Sequence, residues 1–375
     1  MILTHELVSF LFIIIKLIGD IMKVCVYAIC KNEEKFVERW YNSMKEADEI
    51  YVLDTGSDDN TVKLLKKFGV KVKSEIIKPW RFDVARNKSL EMVPKDTDIC
   101  VCTDLDEVFL PGWRKILEDN YKTNYRVYYT YNWHINEKGE GDVTFLLNNI
   151  HPRENYHWLH PVHEVLTCKT EELSLTLPNI ILNHYPDQKK SRSSYLELLE
   201  LSVREDPLDD RNMHYLGREY MYYGKWEECI NTLKNHLNLK SATWNLERSA
   251  SMRFIARSYI NLNNEKEAEH WYKLAIKEAP NIREPYTELA ILYHNQKKYL
   301  DSIYYFLKAL MIKNKDLIYI NEIFCYDGTI EDIMSLDYYY LGLYNESLFY
   351  VDKALEYNKD NKRLIDNKKL IETKI

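Results

Sequence analysis

The sequence predicts an α/β domain followed by an all-α domain. Three observations carry this. Short apolar runs alternate with helical stretches from Lys23 to about Asp104. Shorter strand-like segments then continue to His184. From Ser191 the chain reads almost wholly helical, with a period of 34 residues. Strand–helix alternation implies parallel strands joined by helices. These shifts in texture divide the chain into an apolar extension over 1–22, an α/β domain over 23–190 and a helical domain over 191–375.

Each α/β element has its own signal. Lys23–Ile29 (KVCVYAI) is a buried strand. Asn32–Ala47 sets Phe36, Val37, Trp40 and Met44 at helical spacing, with acids in the first turn where the helix dipole favours them. Glu49–Asp54 (EIYVLD) is a second strand. A Gly-containing turn leads from it into a helix carrying Val62, Leu64, Leu65 and Phe68, which Gly69 stops. VKVKSEII is a third strand, RFDVARNKSLEMV a helix closed by Pro94, and DICVCTD a fourth strand. Beyond Asp104, the segments Tyr125–Trp133, Val143–Leu147, Val165–Cys168 and Ile180–Asn183 read as short mixed strands that extend the sheet antiparallel.

The helical half repeats. Ala268 and Ala275 in EAEHWYKLAIKEAP recur as Ser302 and Ala309 in DSIYYFLKALMIKN. They recur again, after an insertion, as Ser347 and Ala354 in ESLFYVDKALEYNK; Lys225–Leu237 is an earlier, degenerate copy. Small residues at fixed places let paired helices approach closely. A helical hairpin every 34 residues is the tetratricopeptide signature. The array reads either as a packed extension of the core or as a groove for a protein or peptide partner, because stacked hairpins curve into a concave surface.

Bulk properties narrow the function classes. A net charge of −7 argues against a nucleic-acid partner held on a broad basic surface. Seven cysteines show no CxxC spacing. Cys100 and Cys102 share one face of a strand and are poorly placed to bond each other, so a reduced, cytoplasmic setting is expected. The apolar run Val8–Ile15, interrupted by Lys16, is short for a membrane span and lacks a basic leader and cleavage site. It reads as the product of an upstream start before Met22, or as an interfacial anchor that would make the protein membrane-peripheral. Homo-oligomerisation is left open.

Three clusters carry chemistry. In VLDTGSDDNT, Asp54 ends a strand, and ligands of open α/β sheets sit at the carboxyl ends of strands. An Asp there can accept from a nucleotide base or ribose; it also suits an ordinary turn. In RFDVARNKSL, Arg86 and Asn87 stand near the start of a helix. The forked, permanently charged Arg suits a phosphate, or a solvated helix face. In TDLDEV, Asp104 and Asp106 project to one side of an extended segment. Paired carboxylates are hard oxygen ligands for Mn²⁺ or Mg²⁺, whose open positions phosphate oxygens fill.

These pieces stand in a familiar order: AICKNEE, VLDTGSDDNT, WRFDVARNKSL and DICVCTDLDEVF, with LHPVHEVL and ILNHY downstream. From Val24 to about His184 the chain resembles family 2 glycosyltransferases of the GT-A fold, a Rossmann-like nucleotide-sugar domain. The nearest branch includes bacterial lipopolysaccharide-core glucosyltransferases. The fused repeats resemble a related group that includes peptide glycosyltransferases acting on bacteriocin-like peptides.

The resemblance implies roles. Glu33 and Asp54 would line the nucleotide pocket, and Arg86 and Asn87 would sit near the base or diphosphate. Asp104 and Asp106 would be the D-x-D pair, with Asp106 the more direct ligand, and His184 a third metal or diphosphate contact. Arg153 would steady the donor phosphates. Glu164 would be the base that takes the acceptor's proton, its pKa raised in a closed site, with His163 the rival base or a diphosphate binder. DTGS departs mildly from the family's aspartate-rich turn. On the acceptor side, Trp133 offers a stacking face, and Gly139 and Gly141 suggest a lid.

The expectation is a metal-dependent, inverting glycosyltransferase of hexosyltransferase type. It would move a sugar from a nucleotide-sugar, UDP-sugars first, to a glycan, lipid-linked or peptide acceptor. One rival is a non-catalytic repeat scaffold with a decayed transferase domain. Another is a nucleotidyltransferase, for which AICKNEEKF lacks the Gly-rich triphosphate loop.

Overall fold

The computed structural model describes residues 22–122, 124–136, 139, 141–187, 195–313 and 318–375. The apolar extension over 1–21, the boundary drawn at 190/191 and part of the expected lid lie outside the described residues. No helix among the described residues is long and apolar enough to cross a membrane. The described residues fall into two compact units. The first runs to Gly141 and takes Leu146–His160 and the chain from Glu164 to the end of the sheet. The second takes Asp142–Phe145, Pro161–His163 and the helical remainder.

The first unit is a mixed sheet of eight strands. In chain order its strands are β1 (Val24–Cys30), β2 (Glu49–Asp54), β3 (Lys71–Ser74), β4 (Ile99–Cys102), β5 (Glu107–Phe109), β6 (Tyr125–Ile135), β7 (Gly141–Pro152) and, after an excursion, β10 (Leu173–His184). The excursion is a separate two-stranded hairpin, β8 (Tyr156–Leu159) and β9 (Val165–Cys168). The spatial order is β3-β2-β1-β4-β7-β6-β10-β5. Strands β3, β2, β1 and β4 run parallel. Helices α1 (Glu34–Met44), α2 (Thr61–Lys67) and α3 (Phe82–Glu91) join them as the alternation predicts. Every residue of β1 and of β4 is buried, which explains their unbroken apolar runs. Cys25, Cys100 and Cys102 share one core cluster with Tyr27 and Trp158. All seven cysteines are free thiols.

The second half of the sheet departs from the antiparallel extension expected. β7 is antiparallel to β4 and β5 to β10, but β10 lies parallel to β6. The reason is topological: the chain leaves the sheet through the β8–β9 hairpin and re-enters in the direction of β6. The β6–β10 register shifts between Leu177 and Ile181. Pro178 falls in this gap, where it has no N–H to give a ladder, and its carbonyl accepts from Thr130 Oγ1 at 2.7 Å instead. A fourth helix, α4 (Trp113–Asn120), was not expected; it buries Trp113 and Leu117.

A polar chain crosses this core. Trp158 Nε1 donates to the Tyr27 hydroxyl at 3.0 Å, and that hydroxyl donates to His151 Nε2 at 2.8 Å. His151 Nδ1 in turn donates to the Pro152 carbonyl at 2.7 Å. The neutral imidazole satisfies both ends, and burial pushes its pKa down to about 3.

The second unit is helical. It contains α5 (Tyr195–Glu205), α6 (Asp210–Tyr222), α7 (Trp226–Asn238), α8 (Asn245–Asn261), α9 (Glu265–Glu278), α10 (Glu284–Asn295), α11 (Tyr299–Met311), α12 (Thr329–Tyr340), α13 (Tyr344–Tyr357) and α14 (Lys362–Glu372). Four hairpins form, α6/α7, α8/α9, α10/α11 and α12/α13, and each carries the same buried register. Gly217, Cys229 and His236 correspond to Ala256, Ala268 and Ala275, to Ala290, Ser302 and Ala309, and to Ser335, Ser347 and Ala354. Gly217 shows why small residues are required: a Cβ there would lie 2.3 Å from Leu233 Cδ2 of the paired helix. Asp209 and Asn264 cap α6 and α9 by accepting from the N–H three residues on. Between hairpins the buried Arg253 pairs with Glu288 at 2.7 Å, and Arg257 bonds the second Glu288 oxygen at 2.8 Å.

Candidate active site

The parallel strands end at one edge, and their last residues and following turns bring charge together. After β1, Asn32 adopts φ +56° and its amide oxygen accepts from the Asp58 N–H at 2.9 Å. The Asn32 N–H donates to Ser57 Oγ at 2.9 Å, and the Glu33 N–H to Thr61 Oγ1 at 2.7 Å. The turns after β1 and β2 are thereby stitched together. Asp54, buried at the end of β2, accepts from the Ser57 N–H at 3.0 Å, which closes the DTGS turn. Glu33 is buried in the same stitched region.

Arg86 is the hub of the site. It sits in α3 and its guanidinium is almost wholly buried. Nε donates to Glu164 Oε1 at 2.7 Å, Nη2 reaches Asp104 Oδ1 at 2.9 Å, and Nη1 meets Cys102 Sγ at 3.4 Å. The Trp158 ring lies 5.3 Å from its charge. One cation thus gathers the first acid of the D-x-D pair and the expected base, residues from three separate segments. Its two partners differ in exposure. The Glu164 side chain is 11% exposed, whereas that of Asp104 is 45% exposed and can turn to solvent or ligand.

Asp106 points elsewhere. Its Oδ2 lies 3.6 Å from His184 Nε2, at the end of β10. His184 Nδ1 faces the Trp133 carbonyl at 3.1 Å, which fixes the tautomer that leaves Nε2 free to ligate. Burial would lower the His184 pKa, but the Asp106 carboxylate beside it raises it. The Trp133 ring stacks on His184 with centroids 4.6 Å apart and keeps 45% of its surface exposed. A carboxylate and an oriented imidazole fit a divalent cation whose other positions phosphate oxygens and water would fill. Among the described residues, Asp104, Asp106 and His184 do not converge as a three-donor cluster, because Asp104 faces Arg86.

Three expected residues go elsewhere. Asn87 is a clamp: its amide donates to the Trp158 carbonyl at 2.9 Å and accepts from the Trp158 N–H at 2.8 Å, holding β8 to α3. Arg153 donates through Nε to the Val93 carbonyl at 3.0 Å. His163, at φ +50°, belongs to the second unit; its ring stacks on Tyr215 at 4.1 Å and its carbonyl accepts from Arg211 at 2.6 Å.

Glu107 is the residue that sequence reasoning missed. It is buried, and it accepts from the Tyr131 hydroxyl at 2.8 Å and the Asp104 N–H at 2.8 Å. Burial, and then the neighbouring Asp104 carboxylate, push its pKa up to about 8. The available signal was its alternation with Phe109, which puts both on the inward face of β5.

Charged side chains thus gather at the carboxyl edge of a Rossmann-like sheet, the edge where ligands of open α/β sheets bind. Comparison with known proteins adds a family match for part of the chain. Residues 25–168 match the model of Glycosyl transferase family 2. An uncharacterized glycosyltransferase of Rickettsia bellii is 37% identical over 86 residues, 23% of this chain and 28% of that protein. One from Rickettsia typhi is 44% identical over 59 residues, 16% of this chain and 19% of that protein. The chain therefore spans under a third of the length of these relatives. A second model, Est1 DNA/RNA binding domain, matches residues 268–317 within the helical unit.

Solved structures similar to the chain include the MamA protein (18% identical, 46% of this chain and 85% of that chain, TM-score 0.36). Another is the C-terminal part of a TPR repeat-containing protein from Cytophaga hutchinsonii (13% identical, 48% and 66%, TM-score 0.40). The repeat character rests on the chain's own hairpin register rather than on these low scores. Residues 25–168 thus carry a match to the family 2 glycosyl transferase model, and tetratricopeptide-like repeats follow them.

Proposed function

We propose that the first unit transfers a sugar from a nucleotide-sugar, a UDP-sugar first among them, to an acceptor hydroxyl with inversion at the anomeric carbon. The observation that carries this is the Arg86 hub, which holds Asp104 and Glu164 together at the strand edge. Asp54 and Glu33 would line the nucleotide side on the stitched turns. Asp106 and His184 would hold Mn²⁺ or Mg²⁺. Such an ion, when bound, neutralises charge on the leaving diphosphate.

Glu164 would take the acceptor's proton. Its Oε1 bond to Arg86 fixes the carboxylate's orientation. The stacking of His163 on Tyr215 favours Glu164 over His163 for this role. Arg86 would exchange part of its pairing with the exposed Asp104 for the donor's phosphate, which a forked guanidinium matches. Trp133 would offer its exposed face to a sugar ring or acceptor side chain. The repeats would position a glycan, lipid-linked or peptide acceptor, since stacked hairpins generate extended binding surfaces.

The test is donor turnover. UDP-sugar hydrolysis with Mn²⁺ should be measurable in the full chain and fall by about a hundredfold or more in Asp106→Ala and in Glu164→Gln. Full turnover in both variants would refute the assignment. Absence of donor binding in the wild-type chain would favour the scaffold.

A further inference from the structure

The second unit breaks its own repeat at one place. In three hairpins the last small position of the register is alanine: Ala275, Ala309 and Ala354. In the first hairpin it is His236, and it is fully buried. An imidazole at a position built for a methyl group needs a reason. His214 of α6 lies beside it with ring centroids 5.5 Å apart, and Glu247 of α8 completes the group. One ligand atom from each of His214, His236 and Glu247 lies within 4.8 Å of the others, and all three residues are buried.

The polar bookkeeping points to a missing partner. Neither His214 Nε2 nor His236 Nε2 has a hydrogen-bond partner, although both are buried; His236 Nε2 lies 3.5 Å from Glu247 Oε1. Buried imidazole nitrogens rarely stay unsatisfied. Their other nitrogens share one acceptor: Ser251 Oγ lies 2.7 Å from His214 Nδ1 and 3.0 Å from His236 Nδ1. The two lone pairs of a hydroxyl can receive both Nδ1–H groups. Both Nε2 atoms then carry free lone pairs, and that of His236 faces Glu247 Oε1 at 3.5 Å. The remaining Glu247 oxygen is held by the Tyr319 hydroxyl. Every donor thus has an outer partner that orients it, as ligating residues characteristically do.

We infer that His214, His236 and Glu247 form a structural zinc site that ties the first hairpin, α6/α7, to α8 of the next. Two imidazoles and a carboxylate suit Zn²⁺, with a water molecule completing the four-coordinate shell. The burial of all three matches a structural ion rather than one open to substrate. Ligation transfers no electrons; Glu247 binds as its carboxylate and both histidines as neutral bases.

The experiment uses the full-length Asp106→Ala protein, which removes a ligand of the proposed transferase-site cation. After chelator treatment it is titrated with Zn²⁺ against a chromogenic chelator, and with Co²⁺ by visible absorption. The expected result is a single tight equivalent, a rise in Tm on Zn²⁺ addition and tetrahedral Co²⁺ bands. Adding His236→Ala supplies the residue the other three hairpins carry, so the helices should still pack. It should abolish the Co²⁺ bands and the Zn²⁺-dependent Tm rise. Ser251→Ala should weaken Zn²⁺ binding by about tenfold or more. Glu247→Gln, which can still meet the Tyr319 hydroxyl, should also lose the bands and keep the fold by circular dichroism. No tight Zn²⁺ binding by the parent, or Zn²⁺ bound equally well with His236→Ala, would overturn the site.

Discussion

Two buried arginines sit in the two units and differ in one respect. Arg86 and Arg253 are both largely removed from water, and each joins carboxylates from distant segments. Arg253 is the more closed: its nearer partner Glu288 is 4% exposed and Glu322, at 3.5 Å, is 26% exposed; burial is outweighed by Arg257 and Arg253, which hold the Glu288 pKa at about 2. Arg86 has an open side, because Asp104 is 45% exposed. A sealed pair can only hold structure together. A pair with one wet partner can exchange it for a ligand's anion at modest cost. The same chemistry therefore serves scaffold in one unit and, as proposed, substrate in the other.

The largest effect expected is on stability in the helical unit. Arg253→Ala leaves Glu288 buried with only Arg257 beside it and should cost about 3–5 kcal/mol in urea unfolding. Arg86→Ala leaves Glu164 largely buried but lets Asp104 rehydrate, so it should cost less, about 2–3 kcal/mol, yet lower donor turnover by about a hundredfold. Equal losses of stability would erase the distinction between the two arginines. Next in size, Gly217→Ala drives a methyl into Leu233 and should cost about 1–3 kcal/mol, read as a lower urea midpoint with an unchanged slope.

A further effect, graded by pH, touches both units at once. His151 in the sheet and His214 in the repeats both have pKa values lowered to about 3 by burial. The unfolded chain, with ordinary histidines near 6.5, binds more protons between those values. Stability should therefore be fully present above pH 6.5 and decline below it, by about 1.4 kcal/mol per pH unit for each histidine. Urea midpoints at pH 7.5, 6 and 5 check the sign. A midpoint constant from pH 7.5 to 5 would contradict the neutral assignment of both rings.

The parts legible in the sequence are those with a short period. Buried parallel strands announce themselves as unbroken apolar runs, and the hairpins as a 34-residue spacing of small residues. The fold class followed from these two signals. Long-range facts left no local trace. The parallel β6–β10 pairing depends on the β8–β9 excursion between them. β10 is 12 residues long, but Pro178 and Asn179 break its pattern and left only its last third looking strand-like. β5, at three residues, offers no signal beyond the alternation of Glu107 with Phe109.

The same division runs through the site. Arg86, Asp104 and Glu164 were each readable as residues suited to a sugar-nucleotide, and the fold gathers them. Asn87 looked equally suited, but it binds a backbone segment 71 residues away, which no local motif encodes. Glu107 stands among three acids in TDLDEV, where no local pattern separates a buried acid from a solvated one. Its burial follows from β5 joining the sheet beside β10.

The measurement that bears most directly on the proposed sugar-nucleotide site is a thermal-shift panel of UDP-, GDP- and TDP-sugars, each with and without Mn²⁺, on the full chain and on Arg86→Ala. The expected result is stabilisation by one nucleotide class, greater with Mn²⁺ and lost in Arg86→Ala. Stabilisation by none of them, with or without Mn²⁺, or a shift that survives in Arg86→Ala unchanged, would contradict it.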